Sequence, residues 1–159
     1  MVMKRKFLKV FGTCLVILSV LLSGCSGTNS ESLTEYRDSM NGFFDRIANL
    51  DSDINSFDTG STDYSSLLSK LDALNREFKS MSELEVPEEF IGVKELSVDA
   101  FSHMSKSISL YHDFFENSDY DQSIADEASQ HYLLANKELK YIIEILHGRS
   151  YEEVVKSDS

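Results

Sequence analysis

From Leu33 to Phe57 the chain reads LTEYRDSMNGFFDRIANLDSDINSF, and the spacing of its apolar residues decides the fold. Leu33, Tyr36, Met40, Phe43, Ile47, Leu50, Ile54 and Phe57 follow one another in steps of three and four without a break. That alternation places every one of them on a single stripe of a long amphipathic helix. Ser32 and Glu35 read as a capping box at its start. Asp58-Thr59-Gly60-Ser61 ends it.

The same rhythm returns three times. Tyr64, Leu67, Leu71, Leu74, Phe78 and Met81 form a second stripe, with Asp72 and Arg76 as an i,i+4 pair on its outer side. Pro87 then suits the first turn of a third helix, and Glu88 and Glu89 complement its dipole. Its stripe is Phe90, Val93, Leu96, Ala100, Met104, Ile108, Tyr111 and Phe115. Asn117-Ser118-Asp119 closes it, and Asp119 with Gln122 reads as the capping box of a fourth helix. Ile124, Ala128, Tyr132, Ala135, Leu139, Ile142 and Leu146 make the fourth stripe, and Gly148 is its stop. No segment alternates as a strand does. Four helices with short connections predict an all-α, antiparallel, up-down-up-down four-helix bundle. Thr62-Asp63-Tyr64 and Ser118-Asp119-Tyr120 echo one another, which a common helix start explains.

Composition agrees with one globular domain of 159 residues: 42% are hydrophobic and 26% charged. Lys and Arg number 15 against 27 Asp and Glu, and the net charge of −12 argues against a nucleic-acid partner. Two Cys cannot build a disulfide framework.

The N-terminus has another organisation. Lys4, Arg5 and Lys6 precede an apolar run broken once by Lys9, and the run ends in Leu22-Ser23-Gly24-Cys25. Basic start, apolar middle and small residues at the end are the layout of a secretory signal peptide. The uninterrupted part, Val10 to Leu22, is shorter than the ~20 residues of a membrane span. Leu-Ser-Gly-Cys resembles the lipobox of bacterial lipoproteins. The resemblance implies cleavage between Gly24 and Cys25 and a diacylglyceryl group on the Cys25 thiol, with palmitate-type acyl chains. Two acyl chains make an anchor durable where one is marginal. Residues 1–24 are then a cleaved signal helix, 25–31 the lipidated Cys and a tether, 32–148 the bundle and 149–159 a polar, frayed or partly helical tail. Loss of Lys4, Arg5, Lys6 and Lys9 would take the charge from −12 to −16. A chain so acidic stands off an anionic lipid surface. With its helices, the chain resembles small helical bacterial lipoproteins, and the resemblance implies a lipid-anchored position outside the cytoplasm, on a Gram-positive cell surface.

Chemical motifs are sparse. A di-iron bundle needs two Glu-x-x-His motifs; Glu144 and His147 supply one, and His147 reads better as a cation at a helix C-terminus. Glu127 and His131 share a face but are only a pair. Cys-x-x-Cys-His, Gly-rich phosphate loops and the Gly-x-Ser-x-Gly elbow are absent from the sequence. Asp51, Asp53, Asp58 and Asp63 lack the order of a calcium loop. No cofactor, no metal site and no catalytic residue is therefore expected. Helix four carries a second line, Leu134, Tyr141 and Ile145, with Leu133 nearby. It is either central packing or a docking face for another envelope protein. The expected function is a non-enzymatic, membrane-anchored interaction module. The other reading is a bundle that binds or senses a small apolar or cationic molecule, suggested by the aromatic and acidic content.

Overall fold

The computed structural model describes residues 30–57, 64–117 and 121–156. Four long helices follow in order: α1 (Ser30–Asn55), α2 (Ser65–Glu83), α3 (Ile91–Glu116) and α4 (Gln122–Leu146). A 3-10 turn over Glu88–Phe90 leads into α3, and a short α5 (Tyr151–Lys156) follows α4. No strand occurs among the described residues. The chain is an all-α bundle, as the stripes require.

The cross-links between helices give their directions. Arg46 meets Glu77 at 2.7 Å and Lys70 meets Asp53 at 3.7 Å, so α1 and α2 run antiparallel. The Ser107 hydroxyl donates to the Ala128 carbonyl at 2.8 Å and His103, a turn earlier on α3, meets His131, later on α4, so α3 and α4 do too. The Tyr36 and Phe90 rings stack at 5.8 Å, setting the start of α1 beside the start of α3.

The four stripes are the core. Met40, Phe43, Ile47, Ile54, Leu71, Leu74, Phe78, Val93, Ala100, Met104, Tyr111, Ala128, Ala135, Leu139 and Ile142 are all buried. Where stripes meet solvent at the helix ends they are half-buried, as at Leu33, Leu50, Phe57, Tyr64, Phe115 and Ile124. Small residues face each other between α3 and α4: Ser97, Ala100 and Ser107 on one, Ala125, Ala128 and Ala135 on the other. Small side chains let helix axes approach, and these two helices make the most intimate contact in the bundle.

Several helix ends differ from their expected caps. α1 begins at Ser30, so Ser32 lies inside the first turn and is not the cap. Asp119 lies outside the described residues, and the observed cap of α4 is Asp121, whose carboxylate accepts from the Ser123 amide at 2.9 Å. The Ser123 hydroxyl, which donates to the same oxygen at 2.7 Å, and then the amide hold the exposed Asp121 carboxyl below the usual carboxylate range. At the end of α2 the Lys94 ammonium donates to the Ser82 and Leu84 carbonyls, at 2.8 and 3.4 Å. A cation there satisfies carbonyls that the helix leaves unpaired. Gly148 has φ +97°, the left-handed conformation of a helix stop, and its amide donates to the Ile145 carbonyl.

The tail is partly helical and more closely packed than its polar composition implies. Within 149–159, residues 151–156 form α5, with Val154 completely buried. The Ser150 hydroxyl accepts from the Glu153 amide, and Glu153 in turn accepts from the Ser150 amide, a reciprocal cap. Tyr151 packs so close to Gly92 that a Cβ there would stand 2.9 Å from its ring. Glycine at 92 thus admits the tail against the first turn of α3.

Two buried serines make a test. Ser107 Oγ has its carbonyl partner, whereas Ser97, 1% exposed, has an Oγ without one. A buried hydroxyl without a hydrogen bond costs about 1–3 kcal/mol by mutational measures. Ser97→Ala is expected to raise the midpoint of urea unfolding, and Ser107→Ala to lower it.

Candidate functional site

Gly24 and Cys25, the expected cleavage and lipidation positions, lie outside the described residues. The expected partner line on α4 lies within them, and its members separate. Tyr141 and Ile145 are 5% and 6% exposed and belong to the core, while Leu134 is 40% exposed. Lys137 covers the Tyr141 ring, its Nζ 5.5 Å from the centroid. The three therefore do not form one open apolar face. What stands exposed on α4 is Leu133 with Leu134. Sequence spacing left central packing and a docking face both open for this line, and the burial of Tyr141 and Ile145 is of the first kind.

The polar groups that sequence reading left unassigned pair across helices. His103 and His131 face each other between α3 and α4, Nδ1 to Nδ1 at 2.9 Å. His112 stands between Asp72 and Glu116, each at 2.9 Å. Asp72, expected beside Arg76, thus serves α3. The two carboxylates raise the His112 pKa, led by the hydrogen bond to Glu116 and opposed by partial burial. Burial lowers that of His131, helped by His103 and Lys106 and opposed by Glu127.

A third group ties α1 to α4. The Tyr132 hydroxyl donates to Asp51 at 3.0 Å, and the Asn55 amide donates to the other Asp51 oxygen at 3.0 Å. The buried Asn136 amide donates to the Tyr132 carbonyl at 2.9 Å. Burial pushes the Asp51 carboxyl above its usual range against the pull of both hydrogen bonds. Burial, then the Asp51 charge, pushes the Tyr132 hydroxyl up as well, so it is a donor and not a base. Tyr36 is pushed up to about 12 by burial alone.

Charge is distributed along the bundle axis. Residues 47–69 and 107–136 contain no Lys or Arg. Their described parts carry Asp51 and Asp53 late in α1, Asp113 and Glu116 late in α3, and Asp121, Asp126 and Glu127 at and beyond the start of α4. These meet at the end of the bundle opposite the start of α1. Lys70 and Lys106 border this end and pair with Asp53 and Glu127, so the acids outnumber the bases there without standing alone.

Glu144, the acid of the one Glu-x-x-His motif, pairs with Arg149, and His147 caps the exposed end of α4. Among the described residues, no three His, Cys, Asp or Glu side chains gather as metal ligands would, and no helix is long and apolar enough to cross a membrane. No family model, curated protein or solved structure matches the chain.

Proposed function

We propose that this chain is a membrane-anchored bacterial lipoprotein whose bundle is a non-enzymatic interaction module at the outer face of the cell envelope. The observation that carries the reading is Leu22-Ser23-Gly24-Cys25, set just ahead of Ser30, where α1 begins. A tether of about five residues reaches less than ~20 Å. The end of the bundle where α1 starts is then held near the bilayer, and the opposite, acid-rich end points outward. Repulsion from anionic lipid favours that same orientation.

The side chains that chemistry would recruit support a binding role. His103 and His131 engage each other, His112 engages two carboxylates, and Glu144 engages Arg149. The large aromatics Phe43, Phe78 and Tyr111 fill the core. Exposed apolar surface remains at Leu133 and Leu134 on α4 and at Ile91 and Val98 on α3.

The test is crosslinking in intact cells, with mass spectrometry of both the N-terminus and the crosslinked species. Wild-type protein is expected in the membrane fraction with a diacylglyceryl-modified Cys25 and one dominant envelope partner. Cys25→Ala is expected to lose the lipid, the membrane fraction and the partner together. An unmodified Cys25 in wild type overturns the anchor. A crosslinking pattern shared by wild type and Cys25→Ala overturns the envelope module.

A further inference from the structure

The histidines of α3 bind its two neighbours through contacts with opposite proton requirements. His103 Nδ1 and His131 Nδ1 are 2.9 Å apart, with ring centroids at 5.2 Å. A nitrogen–nitrogen contact of that length needs one N–H and one lone pair. The pair can be neutral, or it can carry one charge with the remaining neutral ring as acceptor. Two imidazoliums would bring two N–H groups together with no acceptor and two like charges in contact. The contact therefore survives at most one added proton. His112 has the reverse requirement. Its Nε2 faces Asp72 of α2 and its Nδ1 faces Glu116 of α3, so its protonated ring donates to both.

We propose that acidification transfers the grip of α3 from α4 to α2, releasing the His103–His131 contact and strengthening the His112–Asp72 contact. The helix is suited to this because it packs against both neighbours along its length. Leu134, one turn beyond His131 on α4, is already exposed. Only the use of this device at a cell surface rests on the lipoprotein reading; the device belongs to the bundle.

The charges around the α3–α4 contact are Lys106 and Asp99 on α3 and Glu127 and Glu138 on α4. Lys106 opposes a second proton on the pair and Glu127 favours it, and the two also meet each other at 3.6 Å. Glu138 is raised by burial, then by Asp99, with Lys137 opposing. Among the described residues no charge of α1, α2 or α5 acts on His131. Around His112 the acting charges are Asp72 of α2 and Glu116 of α3.

The signs follow from linkage. His131 is depressed in the fold, so its contribution is present above the unfolded value of 6.5 and is lost as pH falls through the folded value. His112 is raised, so its contribution is present below 6.5 and is lost as pH rises through the folded value. Glu138 acts with the sign of His112, and the variants below separate it from His131.

The experiment is hydrogen exchange of the full chain in detergent at about pH 7.5 and about pH 5.5, after correction for intrinsic exchange. On acidification the amides around His131 in α4 are expected to lose protection and those around Asp72 in α2 to gain it. The size is about tenfold for each pKa unit by which a ring is shifted. His131→Gln is expected to abolish the change in α4 and keep that in α2; His112→Gln does the converse. Equal α4 protection at both pH values overturns the proposal, as does an unchanged α4 response in His131→Gln. Should a variant fail to fold, the ring protons of wild type decide. Ring signals of His103 and His131 that change together as the pH falls support the proposal, and signals that change independently overturn it. An unlipidated Cys25 would leave all these results as they are, so the two readings fail separately.

Discussion

Phe78→Ala is expected to lower the unfolding free energy of the bundle by about 3–5 kcal/mol, the range for removing a buried aromatic ring. Phe78 is completely buried in α2 and meets Phe43 of α1 edge to face, with centroids 5.7 Å apart and planes at 83°. Phe43 also touches Phe44 at 5.3 Å. The loss thus combines transfer of the ring to water, a cavity between two helices, and an edge-to-face contact worth about 0.5–1.5 kcal/mol beyond its area. Long helices walled by Leu, Met and Ile cannot collapse into such a gap without shifting whole turns, so most of the cavity remains. Domains of this size are stable by only about 5–15 kcal/mol, so the variant gives up a large share of the total.

Urea unfolding followed by circular dichroism measures this. Leu133→Ala is the control, since Leu133 is 46% exposed and surface substitutions usually stay within about 0.5 kcal/mol. A Phe78→Ala loss no larger than that of Leu133→Ala would mean that α1 and α2 do not share the core described here.

The core was legible because a helix buries what recurs at three and four. Met40, Leu71, Val93 and Ile142 could be named from spacing alone, and each is buried. Spacing does not say which stripe meets which, because heptads do not choose partners by themselves. That is why Tyr141 and Ile145 read equally well as core or as docking surface. It is also why the cross-helix polar contacts stayed hidden: Tyr132 lies far from Asp51 in sequence, and His103 from His131. Local pairing of Asp72 with Arg76 was the natural reading, yet the structure gives Asp72 to His112. The packing of the tail stayed hidden for another reason. Tyr151, Val154 and Val155 are too few to show a period, and α5 forms because it has Gly92 and α4 to pack on. The proposed lipobox differs again. A motif of that kind would be read by processing enzymes and not by packing, so sequence is the level at which it would be visible.

Tyr132→Phe is expected to destabilise the bundle by about 1–2 kcal/mol at neutral pH, and by less as the pH falls. The hydroxyl is one of two donors on Asp51, the tie between α1 and α4. Its removal leaves an ionised, half-buried carboxylate oxygen short of a partner, and such losses run to about 1–3 kcal/mol for buried groups. Water that reaches the half-exposed Asp51 reduces this toward the lower end. The pH dependence has a definite sign. Burial already raises Asp51 above 3.8, and the two hydrogen bonds hold it down. A group with a raised folded value contributes stability below its unfolded value and loses it as pH rises through the folded one. Loss of the Tyr132 donor raises Asp51 further, so the added cost falls where Asp51 is ionised and fades once it is protonated. Asp51→Asn is the matching variant. It keeps an acceptor for Tyr132 and has no charge to bury, so it should cost less than Tyr132→Phe and remove the pH dependence of the pair. Urea midpoints for both variants at about pH 7 and about pH 4 settle the matter. A Tyr132→Phe cost that is equal at the two pH values would show that the tie is packing of the ring, and not the hydrogen bond to a reluctant carboxylate.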